Sequence, residues 1–306
     1  MSVAVVTGSC GLVGAEAARF LDTQGFDVVG IDNDMRLHFF GRDGSTAWSR
    51  QANERNLRNY RHCGLDIRDF DGLRSVLKRY GKEIKLLIHA AAQPSHDWAA
   101  REPLTDFGIN ANGTLNLLEL TRIFCSDAVF IFASTNKLYG DMPNRLPFIE
   151  LPTRFEISPD HKYALGIDES MSVDQTLHSL FGASKLAADI LVQEYGRYFG
   201  LKTVAFRAGC ITGSGHSGAP LHGFLNYLVQ CAVTGKSYTV LGYKGKQVRD
   251  NIHVTDLVTA FWHYFQKPRI AEVYNIGGGK DSNCSVLEAI TATERIAGRA
   301  IVWSYN

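Results

Sequence analysis

No apolar run in this chain approaches the roughly 20 residues that a membrane-spanning helix needs. The formal net charge is only +1, so the basic excess that would point to nucleic acid or an anionic membrane is missing. Strand-like Val3-Ala4-Val5-Val6 stands at the start, with no charged and then apolar stretch before it, so no secretory leader is expected. Cysteine is scarce and scattered. Cys10, Cys63, Cys125, Cys210, Cys231 and Cys284 contain no Cys-x-x-Cys pair, which argues against zinc and a disulfide framework and for reduced thiols in the cytoplasm. His216, His222 and His253 match no zinc spacing, and no carboxylate or thiol completes a set, so no metal is expected. Repeats, low-complexity tracts and heptad seams are absent as well.

What is present is an ordinary globular composition, 45% hydrophobic and 21% charged, long enough for one large α/β unit or two modest domains. Short apolar runs at 3–7, 27–31, 85–89 and 128–133 alternate with helical patterns near 12–24, 70–80 and 103–125. That alternation predicts a parallel sheet with helices on both faces. A helix over 178–199 and a strand over 202–207 follow. Between them, residues 140–177 carry Pro143, Pro147, Pro152 and Pro159 without a clear period, which predicts a long loop. Beyond 208, a Gly/His cluster, a helix near 220–235 and a glycine-rich turn at 242–246 suggest a smaller lobe.

Thr7-Gly8-Ser9-Cys10-Gly11-Leu12-Val13-Gly14 places three evenly spaced glycines between a strand and a helix. Gly8 permits the tight turn, Gly11 admits a pyrophosphate, and Gly14 lets helix and strand pack closely. The helix start adds free N–H groups and the positive end of its dipole. The second strand ends in Ile31-Asp32, where a carboxylate can accept the hydroxyls of an adenosine ribose and repel a 2′-phosphate. NAD is therefore expected over NADP, although nearby Arg36 is a group that can receive that phosphate. The expected fold is a Rossmann-type doubly wound parallel sheet over 1–207, with return segments near 251–276. A smaller C-terminal substrate lobe would occupy 208–306.

Asp66-Ile67 follows the third strand, suited to the adenine edge, and His89-Ala90-Ala91-Ala92 ends the fourth with small residues that let backbone lie against a cofactor. Phe130 to Thr135 delivers hydroxyls at the carboxyl edge of the sheet, and Phe181 and Lys185 share one helix face.

Together these features resemble the extended short-chain dehydrogenase/reductases of the NAD-dependent epimerase/dehydratase family. The resemblance runs along nearly the whole chain, through the glycine turn, Asp32, Asp66-Ile67, Asn110, Ser134-Thr135, Lys185, Arg207 and Arg249 to Asp256. Finer runs are similar to the CDP-paratose 2-epimerase branch: Gly30 to Arg36, Phe39-Phe40-Gly41, Thr135-Asn136-Lys137, His216-Ser217-Gly218, Leu221 to Phe224, and Gly242 to Asp250. The resemblance implies a nucleotide-sugar epimerase with tightly held NAD and a nucleoside-diphosphate-sugar substrate, a CDP-sugar in particular. It implies a homodimer formed through the helices of 103–125 and 178–199. Relatives commonly continue beyond the point matching Asn306 with a further helical stretch. The implied cofactor contacts are Gly8, Gly11, Leu12, Val13, Asp32, Asn33, Arg36, Asp66, Ile67, Ala90, Ala91, Ala92, Asn110 and Lys185. The implied substrate contacts are Gln93, Ser134, Asn136, Lys137, His222 and Arg249, the last at the diphosphate.

The implied catalytic set is Ser134, Thr135, Lys185 and the residue four before that lysine. In the family that residue is tyrosine, whose phenolate removes a sugar hydroxyl proton as hydride departs. Here it is Phe181, which has no ionisable group. An inactivating substitution, another base, or binding without turnover are the three readings this leaves. Dehydratases of the family carry an Asp-Glu pair where this chain has Asn136-Lys137, so oxidation and reduction are expected rather than elimination of water.

Overall fold

A computed structural model describes residues 2–216 and 223–306. Seven strands form the central sheet: β1 (Val3–Thr7), β2 (Asp27–Ile31), β3 (Tyr60–Cys63), β4 (Ile84–His89), β5 (Val129–Thr135), β6 (Lys202–Ala208) and β7 (Glu272–Ile276). All pairs are parallel, in the order β7-β6-β5-β4-β1-β2-β3. The order reverses between β1 and β4, and in such sheets ligands bind outside the carboxyl ends of the strands at that switch.

Strand β1 shows why both faces are covered. Side chains alternate along a strand, so Val3 and Val5 enter one apolar cluster and Ala4 and Val6 the other. On the first face pack helices Phe70–Tyr80, Gly113–Phe124 and Ser179–Phe199, contributing Leu73, Leu77, Leu117, Leu118, Ala188 and Val192. On the second pack Leu12–Thr23 and Val254–Gln266, through Ala17, Ala18, Leu21, Leu257, Val258 and Phe261. Each fully buried Leu or Phe contributes about 1.5–3 kcal/mol of transfer free energy.

The smaller lobe has its own core of Leu228, Cys231, Val240, Val286 and Ile290, built from helices Phe224–Thr234 and Val286–Ala297 and the paired strands Tyr238–Val240 and Trp303–Tyr305. The excursion over 140–177 folds on a fourth small cluster, Leu138, Tyr139, Tyr163 and Met171, with one two-stranded ribbon, Phe148–Glu150 against Phe155–Ile157.

Two expected helices differ from the sequence pattern. The one near 103–125 is three pieces: Pro103–Phe107, a π-turn at Gly108–Asn112, and Gly113–Phe124. The widened turn holds Asn110, whose side chain bonds outward to the segment after β4. The helix near 220–235 is described from Phe224, behind Gly223 at φ +81°. His222, together with Ser217, Gly218 and Leu221, lies outside the described residues. No helix among the described residues is long and apolar enough to cross a membrane.

Candidate active site

A crevice of about 670 Å³ runs along the carboxyl edge of the sheet, from the glycine turn at β1 to the smaller lobe. At its first end the turn is tightly determined. Gly8 has φ +66°, and a Cβ there would stand 2.7 Å from the Ala91 backbone nitrogen. A Cβ on Gly14 would collide with the Gly8 carbonyl, so packing of α1 (Leu12–Thr23) on β1 requires glycine. Gly11 differs: a Cβ would meet only the Gly8 oxygen, at 3.4 Å, so the space its missing side chain leaves belongs to the crevice. Helix α1 has no side-chain cap, which leaves the N–H groups of Leu12 and Val13 for an anion.

Asp32, at the end of β2, accepts the backbone N–H of Cys10 at 3.0 Å and of Asp34 at 2.8 Å. Burial raises its pKa, and these two bonds work against that rise. Next to it, Asn33 donates to Asp66 at 3.0 Å, joining the ends of β2 and β3. Ile67 and the run Ala90 to Ala92 line the wall opposite. Arg36 also lines the crevice, but its Nε donates to the Gly44 carbonyl at 3.1 Å and its guanidinium lies 4.8 Å over the Phe40 ring. A cradle of open N–H groups, a vacant Gly11 face and a carboxylate beyond them fits a dinucleotide.

At the other end, β5 presents Ser134 and Thr135, the turn Asn136–Tyr139 after it presents Asn136 and Lys137, and the helix Ser179–Phe199 presents Phe181 and Lys185; all six line the crevice. Lys185 is buried. Its Nζ donates to the Ala133 carbonyl at 2.9 Å and lies 4.0 Å over the Phe132 ring, and burial pushes its pKa down to about 7. Ser134 and Thr135 part company. The Ser134 hydroxyl is turned inward, donating to Asp189 at 2.6 Å. Thr135 Oγ1 accepts the Lys137 N–H at 3.2 Å, and the residue lines the crevice. Lys137 is desolvated, which lowers its pKa, and neighbouring Arg249 lowers it further. Arg249, on the short strand Val248–Arg249, reaches the same space with no carboxylate paired to it among the described residues.

Gln93 and Asn110 do not line the crevice. Their amides satisfy each other: Asn110 Oδ1 accepts the Gln93 N–H at 2.9 Å, and Asn110 Nδ2 donates to the Gln93 carbonyl, to Asp106 and to Ser184. Gln93 Nε2 also donates to Asp106, at 2.7 Å. Both are 1% exposed, so buried-amide satisfaction rather than ligand contact accounts for their positions. Arg207 serves an ion pair with Asp189 at 2.8 Å, and His253 caps the helix Val254–Gln266 by accepting the Thr255 N–H. His89, held between Thr7 and Thr114, is pushed well below the usual histidine range by burial.

The crevice also contains His96 and Cys210, which the sequence pattern did not single out. Cys210 stands just past the carboxyl end of β6, the position that marks ligand contacts in these sheets, while His96 opens the helix His96–Arg101 in the segment that follows β4.

The profile of the NAD dependent epimerase/dehydratase family matches residues 4–277. The chain belongs to that family. CDP-paratose 2-epimerase of Salmonella typhi is 33% identical over 298 residues, covering 95% of this chain and 83% of that protein. Among solved structures, UDP-glucose 4-epimerase of Thermus thermophilus in complex with NAD superposes with a TM-score of 0.76 at 24% identity, covering 99% of this chain and 86% of that one. UDP-N-acetylglucosamine 4-epimerase of Methanobrevibacter ruminantium, solved with UDP-N-acetylmuramic acid, gives 0.79 at 21% identity, covering 100% and 85%. NAD is the family's cofactor, and the cradle at Gly8, Gly11 and Asp32 suits it.

Proposed function

We propose that this chain epimerises a nucleoside-diphosphate sugar at C2, of the CDP-paratose to CDP-tyvelose type. The observation that carries the reading is the composition of the crevice beside β5. Thr135, Lys137 and Lys185 offer hydrogen-bond donors to a sugar oxygen, while positions 136 and 137 hold no carboxylate for elimination of water. NAD, when bound, supplies the acceptor and donor of hydride. Asp32 holds the adenosine ribose, the Leu12 and Val13 N–H groups face the pyrophosphate, and Lys185 hydrogen-bonds the second ribose. Thr135 steadies the oxygen that gains and loses charge, and Arg249 grips the substrate diphosphate because its planar donors match phosphate oxygens. The 33% identity to CDP-paratose 2-epimerase supports the choice of sugar and nucleotide.

The test supplies CDP-paratose to the folded, NAD-loaded protein, with Phe181→Tyr in parallel, and follows C2 configuration by NMR. Appearance of CDP-tyvelose in either is the expected result. No C2 exchange in either sinks the assignment. A second reading, binding without turnover, is favoured by the missing hydroxyl at Phe181, and tight sugar binding by two inert proteins would establish it.

The same reading includes a homodimer. Leu115 and Ile123 on Gly113–Phe124, and Ile190 and Phe199 on Ser179–Phe199, are large apolar side chains left exposed. Sedimentation at micromolar concentration should give a dimer; a monomer refutes it.

A further inference from the structure

Sugar oxidation needs a proton acceptor beside the reacting hydroxyl, and the crevice wall at position 181 is a phenylalanine ring. Apart from Lys137, whose ammonium has no partner among the described residues, the ionisable side chains around the Phe181 ring are committed elsewhere. Tyr139 is buried: its hydroxyl donates to Asn275 at 2.8 Å and receives Arg207 at 2.9 Å. Asp189 is paired with Arg207, and Asp106 with Gln93 and Asn110. Both nitrogens of His89 are taken by threonines. Lys185 donates to the Ala133 carbonyl, and burial raises the Cys210 thiol, keeping it protonated.

His96 is different. Its ring meets the Phe181 ring edge-on, with centroids 5.0 Å apart and planes at 70°. It lines the crevice, and its Nδ1 lies 2.9 Å from Ser179 Oγ. Ser179 is itself held in an unusual way. It has φ +63°, a left-handed conformation that is strained for a non-glycine residue, and its Oγ accepts the Gly182 N–H at 3.3 Å. The strained serine at the start of the helix bearing Phe181 thus anchors one nitrogen of an imidazole next to the aromatic ring. A base oriented through its far nitrogen by a second group is a recurrent catalytic arrangement.

We propose that His96 is the catalytic residue that takes the sugar hydroxyl proton in this chain, on Nε2, with Nδ1–H donated to Ser179. The proposal rests on the epimerase reading above. In the oxidation half, the O–H proton moves to Nε2 and gives an imidazolium. The C–H hydrogen leaves with its electron pair to a nicotinamide oxidant as C–O becomes C=O. In the reduction half, hydride returns to the opposite face of the carbonyl and the imidazolium returns its proton to the oxygen. The charges around His96 suit this cycle. Partial burial and then Lys137 lower its pKa from the ordinary 6.5, while Asp97 opposes them. Ser179 and Phe181, the contacts from the neighbouring helix, bring no charge. The neutral, proton-accepting form therefore prevails at neutral pH.

The test measures turnover and transient NADH absorbance with a nucleotide sugar. It compares the native chain with His96→Gln, Phe181→Tyr and the double variant, using NAD affinity as the check on folding. Loss of His96 should lower turnover at least about 100-fold, and Phe181→Tyr should restore it in the His96→Gln background. Nitrogen-15 NMR of the ligand-free protein should show His96 protonated on Nδ1. An Nε2–H tautomer, or a His96→Gln protein with undiminished turnover, overturns the assignment. An inert native chain beside an active Phe181→Tyr variant also overturns it and leaves the epimerase reading intact. If both bind NAD and sugar yet neither turns over, the epimerase reading fails and this proposal with it.

Discussion

Replacing Asp189 by alanine should come close to unfolding this protein. The carboxylate is fully buried, on the helix Ser179–Phe199. Its two oxygens accept four hydrogen bonds: Ser134 Oγ at 2.6 Å, Arg207 Nη2 at 2.8 Å and Nε at 3.2 Å, and Gln193 Nε2 at 2.8 Å. Alanine leaves the Arg207 guanidinium, 8% exposed, without a counterion. Removing one partner of a buried pair costs about 3–5 kcal/mol. The orphaned Ser134 hydroxyl, having lost a charged acceptor, adds about 1 kcal/mol or more. A loss of roughly 4–6 kcal/mol compares with about 5–15 kcal/mol of total stability for folded proteins. The consequences reach the crevice, because Arg207 also holds Tyr139, and Tyr139 holds Asn275 on β7. Urea unfolding followed by tryptophan fluorescence measures the change, at several protein concentrations so that self-association is separated from folding. The partner experiment is Asp189→Leu with Arg207→Met. Two apolar residues remove the uncompensated charge, so the double variant should recover most of the lost stability. A single variant that loses less than about 1 kcal/mol, or a double variant no better than the single one, refutes this account of the buried pair.

Three further outcomes follow from the crevice. Asp32→Ala should weaken NAD binding at least about tenfold and narrow the preference over NADP, measured by calorimetry with both dinucleotides; an unchanged ratio removes the ribose role of Asp32. Gly14→Ala forces a Cβ onto the Gly8 carbonyl, so helix Leu12–Thr23 must shift; lost NAD affinity and a lower melting temperature are expected, and an unperturbed variant contradicts the packing. Lys185 has its pKa lowered from 10.5 to about 7, so between those values the unfolded chain binds a proton that the folded chain does not. Stability of the NAD-free protein, taken relative to Lys185→Met, should therefore rise with pH by up to about 1.4 kcal/mol per unit between pH 7 and 9, and a flat difference in urea unfolding refutes it.

How much could be read before folding differs from element to element. Strands β1, β2 and β5 and the helix Phe70–Tyr80 follow from short apolar runs and helical period, because those patterns are consequences of burial on two faces or one. The short helices Met35–Phe40 and His96–Arg101 carry too few turns to show a period, and tertiary contacts such as Trp98 against Phe39 hold them.

Local sequence alone specifies the glycine turn after β1. Gly8, Gly11 and Gly14 act through backbone geometry, and Asp32 stands at the end of the next strand of the same β-α-β unit, so the arrangement is local. It also determined that position 181 lacks a hydroxyl. Which polar groups face the crevice depends instead on contacts made across the folded chain. Gln93 and Asn110 turn to each other, Ser134 turns to Asp189, and His96, distant in sequence from Phe181, meets its ring. Hydrogen-bond satisfaction in a buried interior is a property of neighbours brought from far along the chain, so no local pattern encodes it.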